Sequence, residues 1–177
     1  MSTSEKIAES ALQLFYRQGY HGTGVEQLSQ EAGVTKKTLY RHFPSKELLI
    51  EAALQRRDVD FMTRLQSALA AAPAKARPLA YIDFIEAWAR SEGFHGCAFI
   101  NASAEYAGPG EPPHELAKQH KHKVMVALEQ ACIDAGCKPQ AAQQLFLLGE
   151  GLIVASQVSG PQAPLFEAAR SMVVALA

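Results

Sequence analysis

The chain has 177 residues, 48% of them apolar and 20% charged, which supplies enough non-polar side chain for a packed core and excludes a disordered chain. A formal net charge of -1 excludes a uniformly basic nucleic-acid binder, but the charge is unevenly placed: residues 1–64 hold nine Lys or Arg and eight Asp or Glu, residues 65–177 eight and ten. Three cysteines, an odd number without a repeat, fit reduced thiols in a cytoplasmic protein better than a disulfide scaffold.

The opening MSTSEK has no basic stretch leading into an apolar core, as a secretory signal would. Ile7, Ala8, Ala11, Leu14 and Phe15 form one stripe of a helix over about 4–18, which Gly19 ends. Thr23 followed by Glu26 has the form of a capping box and predicts a second helix, with Val25, Leu28 and Ala32 on one side and Gly33 closing it. Thr35 is placed to cap a third. In it Leu39 and Phe43 share an apolar back, leaving Lys36, Lys37, Tyr40 and Arg41 for other faces. Pro44 disfavours helix at Phe43, and Ser45 offers the cap of a long helix. Two short helices around a Gly-containing turn have the form of a helix-turn-helix, whose second helix enters the major groove. Residues 32–46 contain no Asp or Glu, as phosphate binding requires; an ordinary helical pair with a solvated charged face has the same outline.

The residues themselves carry a resemblance. Ala32-Gly33-Val34-Thr35, Thr38-Leu39-Tyr40-Arg41-His42-Phe43 and Ser45-Lys46-Glu47-Leu48-Leu49, approached through Ile7-Ala8, Ala11, Leu14-Phe15 and Gly19-Tyr20, closely resemble the DNA-binding domain of the tetracycline-repressor (TetR) family over about 5–53. The resemblance implies an all-α protein of about nine helices, with a three-helix N-terminal helix-turn-helix head on a helical body. The head would be residues 1–46, and residues 47–177 the ligand-binding and dimerisation domain. It also implies that Thr35, Lys36, Lys37, Thr38 and Tyr40 touch bases or nearby phosphates, and that Thr23, His42 and Lys46 meet the DNA backbone. Gly24 stands where the family often has a second hydroxyl or a bulky residue, so no side-chain phosphate contact is expected there.

Beyond the head, Leu54, Phe61, Met62, Leu65 and Leu69 continue a helical face to about residue 72, and Pro73 marks its end. In the family this helix carries the ligand signal. Residues 78–92, with Tyr81, Ile82, Phe84, Ile85 and Trp88, are apolar on two sides and suit a central body helix. Residues 93–96 break the chain before a short helix of small residues, 97–107, on which Asn101 and Glu105 lie four apart. That spacing suits either hydrogen-bonding groups in a ligand cavity or a solvated face. Pro113 is placed to start a helix that Gly136 ends, with His120, Val124, Leu128, Ala131 and Ala135 as its inner stripe. No two of His114, His120 and His122 have the i, i+4 spacing of paired helical metal ligands, so no metal is expected; His120 reads as a core or a pocket-lining histidine. Pro139 is expected to open the next helix, with Ala142, Leu145, Leu148, Gly149, Leu152 and Ile153 as an apolar band and Gly149 and Gly151 admitting another backbone. This run carries Glu150 and is too short to span a bilayer. Leu165, Ala169, Met172, Val173 and Leu176 line the last helix. By the resemblance, the last two helices pair with their copies in a two-fold homodimer.

The expectation is a homodimeric, cytoplasmic transcriptional regulator and not an enzyme: a repressor of a palindromic double-stranded DNA operator, released by a small-molecule effector. The effector, of unknown identity, is expected near Phe61, Trp88, Asn101, Glu105 and His120, whose rings and few polar groups suit a modest, partly apolar molecule. No cofactor is expected. Two other readings have their own signatures: a Cys97 nucleophile or redox switch beside His95 or Asn101, and a helical interaction module without salt-dependent DNA affinity.

Overall fold

The computed structural model describes residues 2–175, so Leu176 lies outside the described residues. Among them the chain is all-α, without strands: α1 (Thr3–Gln18), α2 (Val25–Glu31), α3 (Lys36–His42), α4 (Lys46–Ala71), a 3-10 turn (Ala74–Ala76), α5 (Arg77–Ala89), α6 (Ala98–Glu105), α7 (Pro112–Ala135), α8 (Ala141–Ser159) and α9 (Ala163–Val174). No helix among the described residues is long and apolar enough to cross a membrane. Contacts divide the chain into two units. One takes the chain through Asp60 together with Ala98–His120; the other takes Phe61–Cys97 and the chain from Lys121 onward. Helices α4 and α7 each contribute to both.

In the first unit, α1 begins one residue past Ser2, whose hydroxyl accepts the Glu5 amide while the Glu5 carboxylate accepts the Ser2 amide, a reciprocal cap. The stripe Ile7, Ala8, Ala11, Leu14 and Phe15 is buried with Leu28 of α2, Leu39 of α3 and Leu49, Ile50, Ala53 and Leu54 of α4. Each such Leu, Ile or Phe contributes about 1.5–3 kcal/mol on full burial, whereas a surface pair such as Arg56–Glu9 contributes about 0–1 kcal/mol. Apolar packing therefore sets how the three head helices lie on the start of α4.

The start of α2 departs from expectation. Its N-cap is Gly24, with no side-chain cap; the Thr23 hydroxyl instead donates to the Gly19 carbonyl at 2.6 Å, and the Glu26 carboxylate accepts from Lys36. Thr23 is 0% exposed, and a buried hydroxyl must take a partner within reach, so the preceding loop wins over the helix end. Gly33, at φ +65°, closes α2 as anticipated, and the Ser45 hydroxyl accepts the Leu48 amide at the start of α4.

In the second unit α5 packs on both α8 and α9 and buries Tyr81, Ile82, Ile85 and Trp88. Arg170 of α9 ties to Asp83 and Glu86 of α5, and Arg77 to Asp134 of α7. The Arg170 guanidinium, with Arg90 beside it, holds the Glu86 carboxyl below its ordinary value. Three details correct the sequence reading. α8 starts at Ala141 rather than at Pro139, because Gln140 takes a left-handed φ of +71° and becomes its N-cap. Gly149 makes room for the Tyr81 ring rather than for a backbone, while a Cβ at Gly151 would meet open space. The apolar residues of α9 split between two faces: Phe166, Ala169 and Val173 are buried, Leu165 and Met172 exposed.

Candidate nucleic-acid interface

Helix α3 is held from behind and open in front. Leu39 is fully buried and anchors its back. At its start the Thr35 hydroxyl accepts the Thr38 amide at 3.1 Å and donates to the Thr38 hydroxyl at 3.0 Å, so this cap forms as the spacing predicts. Thr35, Lys36, Lys37, Tyr40 and Arg41 are exposed, Tyr40 to 45%. Lys37 and Arg41, four apart on one helical face, form no ion pair among the described residues. Lys36 is engaged: its Nζ lies 2.8 Å from Glu26 Oε2 with both side chains solvated, an attachment worth about 0–1 kcal/mol and easily exchanged for phosphate. Thr38, His42 and Lys46 are half-buried, and Lys46 Nζ donates to the His21 carbonyl at 3.3 Å. Thr23 lies beneath this surface, its hydroxyl already committed to Gly19. Arg41 is the surface cation missing from the expected contacts; its position one turn after Lys37 is the signal that could have found it.

The loop between α1 and α2 is fastened to α6 at both ends of that short helix. Gly19 turns the chain at φ +84°, and the Tyr20 that follows is buried with its ring stacked on Phe15 at 5.4 Å and its hydroxyl donating to the Ala98 carbonyl at 2.8 Å. At the other end of α6 the Glu105 carboxylate accepts the Tyr20 amide at 2.9 Å and the His21 amide at 2.6 Å, with His21 Nδ1 at 3.0 Å. The adjacent Tyr106 ring stacks on the His21 imidazole at 4.7 Å. Burial pushes the Glu105 carboxyl up, but the two amides and the His21 ring outweigh it and hold it below its ordinary value. This corrects the reading of Glu105 as an effector ligand: the helix-turn-helix loop occupies the carboxylate, because two amides left without a carbonyl partner at that turn need an acceptor.

His120 is also committed. It is 2% exposed, its Nδ1 stands 2.8 Å from Asp58 Oδ1, and its ring lies face to face with Phe99 at 3.7 Å. The core reading of this histidine therefore prevails over the pocket-lining one. Asn101 is half-buried in the same unit as Glu105 and His120, whereas Phe61 and Trp88 belong to the other. There Phe61 meets Trp88 edge-on at 5.2 Å and Phe84 at 5.4 Å, and Phe94 closes on Trp88 at 5.2 Å. Cys97 is buried. Among the described residues, no group of three His, Cys, Asp or Glu side chains is placed to share a metal ion.

Comparison with known proteins agrees with this geometry. Residues 7–53, spanning α1 to the first turns of α4, match the family described as bacterial regulatory proteins, tetR family. The HTH-type transcriptional regulator YjdC of Escherichia coli is 27% identical over 168 residues, covering 90% of this chain and 85% of that one. The HTH-type transcriptional regulator LmrA of Bacillus subtilis is 50% identical over 50 residues, covering 27% of each chain. The crystal structure of a TetR-family transcriptional regulator from Streptomyces coelicolor superposes with a TM-score of 0.88 at 29% identity, over 98% of this chain and 93% of that one. A helix-turn-helix with an open cationic reading helix, on a helical body shared from end to end with such proteins, places the chain in the TetR family of DNA-binding transcriptional regulators.

Proposed function

We propose that the protein is a ligand-responsive repressor that acts in the cytoplasm as a homodimer on a near-palindromic operator. The observation that carries this reading is the front of α3: Lys36, Lys37, Arg41 and the Tyr40 ring exposed together, on a helix fixed from behind by Leu39 and capped by Thr35. Phosphate contacts from the cations set register and orientation, and the early α3 residues read base edges. Thr35, Lys37, Tyr40 and Arg41 are the principal contacts, Lys36 joins them by leaving Glu26, and His42 and Lys46 reach the flanking backbone. Thr23 contributes through the shape of the α2 start rather than through its side chain.

One head covers only half a site, so two are needed about one helical turn apart, roughly 34–36 Å. The outward face of α8 supports the pairing. Leu147, Gly151, Val154 and Val158 follow one another at the 4, 3, 4 spacing of a coiled-coil seam, and Leu147 and Val158 are 69% and 80% exposed in the single chain. Leu165 and Met172 extend the same outward character on α9.

The effector enters between the C-terminal half of α4 and α5, parting the Phe61, Phe84, Trp88 and Phe94 rings, and is accordingly a largely apolar, partly aromatic molecule. α4 carries Phe61 and is continuous with the helix start beside α3, so a conformer that shifts Phe61 alters the spacing of the heads; the effector selects it by population shift.

Selection of genomic fragments on the purified protein, followed by footprinting, tests the DNA reading. A protected palindrome with half-sites one turn apart is expected, and Tyr40→Ala should weaken binding roughly 10–100-fold with fold and dimer intact. Salt-independent binding, or unchanged affinity in Y40A, would remove α3 from the contact surface.

A further inference from the structure

The corner between α7 and α8 brings two thiols together through backbone geometry. Gly136, at φ +71°, closes α7; its amide donates to the Ile133 carbonyl at 3.1 Å, and the Cys137 amide donates to the Cys132 carbonyl at 3.0 Å. These are the two bonds of a Schellman motif, whose side chains at the outer pair of positions come into contact. Apolar residues usually fill those positions. Here both are cysteines, with Cys132 buried and Cys137 half-exposed. Residues whose backbones are joined by such a bond are close enough for a disulfide, which spans roughly 4.4–6.8 Å between Cα atoms. Burial, with the neighbouring Cys137, pushes the Cys132 thiol up to about 12.

Both cysteines are among the residues that line a surface groove of about 360 Å³, a volume suited to a small ligand, together with Glu129, Lys138, Gln140 and Gln143. Lys138 Nζ also donates to the Ala175 carbonyl at the end of α9, which fixes its stem beside the groove.

We propose that Cys132 and Cys137 form a dithiol site that closes to an intrachain disulfide by exchange with a small, polar disulfide taken up in this groove. Cys137 is the accessible thiol: its thiolate attacks one sulfur of RSSR, forming Cys137–S–S–R and expelling RS⁻. Cys132, the buried partner, is the resolving thiol and gives up its proton to solvent as it attacks. The Cys132 thiolate then attacks the Cys137 sulfur and expels the second RS⁻. Two protein thiols give up two electrons and two protons, and the oxidant leaves as two RSH. The new bond staples the last turn of α7 to the residue that begins the turn into α8, and excess RSH reverses it.

The test uses the full-length protein with oxidised glutathione, followed by mass analysis under non-reducing conditions. Cleavage before Asp134, which lies between the two cysteines, should leave fragments joined until a reductant is added, and the intact chain should be about 2 Da lighter. Cys137→Ser should abolish the joined fragments, Cys132→Ser should leave a glutathione adduct on Cys137, and Cys97→Ser should change nothing. Fragments that separate without reductant, oxidation confined to Cys97, or links only between chains would overturn the proposal.

Discussion

Replacing Glu105 with Gln tests the fastening of α6 to the helix-turn-helix loop. The carboxylate accepts three hydrogen bonds, from the Tyr20 and His21 amides and from His21 Nδ1. Gln keeps the shape but turns one acceptor oxygen into an NH₂ group facing an amide, donor against donor. Losing one charge-assisted bond costs about 1.5–3 kcal/mol, and weakening the others brings the total to about 2–4 kcal/mol at pH 7. For a chain of this size each kcal/mol corresponds to about 2–4 °C, so the unfolding transition of the unit that contains the head should fall by roughly 4–16 °C. The pH dependence follows from the sign of the shift. The folded carboxyl titrates below its unfolded value, so its stabilisation is complete above that value, about 4.3, and disappears as pH falls through the lower folded one. Thermal unfolding followed by circular dichroism at pH 7 and near pH 3.5 should show a gap between parent and variant that narrows in acid. An equal Tm at pH 7, or a gap undiminished in acid, would refute the role assigned to this carboxylate.

Gly149→Ala should destabilise the second unit by about 1–3 kcal/mol through overpacking against the Tyr81 ring, although Gly to Ala in an open helix is ordinarily stabilising. Urea unfolding of this variant gives the sign directly, and a rise in midpoint would show that Tyr81 yields without penalty. Val154→Glu places a charge in the centre of the outward α8 seam. Sedimentation should then find monomers of unchanged helical content, and a persistent dimer would move the interface elsewhere.

Helix ends whose chemistry is local are legible in the sequence. Thr35 capping α3, Gly33 ending α2 and Gly136 ending α7 each depend on residues within a few positions. Thr23 escapes such reasoning because its burial, set by packing rather than by neighbours in sequence, turns its hydroxyl toward Gly19. Gln140 carries no glycine-like signal for its left-handed backbone, so the start of α8 lies two residues beyond the proline that spacing favours. The candidate effector residues show the sharper limit. Spacing places Asn101 and Glu105 on one face, but the partners of Glu105 lie 85 and 84 positions away, and Asp58 lies 62 from His120. A polar side chain on an apolar helix announces that something answers it, and only the tertiary fold says whether that is a ligand or another stretch of the same chain. The exposed face of α3 is more readable because it lies on one short helix, where exposure follows from a period of 3.6 residues.

The Lys36–Glu26 pair gives the reading helix a resident counter-ion. On the contact surface proposed above, a phosphate that meets Lys36 displaces a carboxylate rather than a sodium ion from bulk solution, so this contact should add less to the salt dependence of binding than one at Lys37 or Arg41. The freed Glu26 then sits near the sugar-phosphate backbone as a like charge. Glu26 thereby trims the affinity of this helix for DNA of any sequence, by no more than the roughly 0–1 kcal/mol of a solvated ion pair.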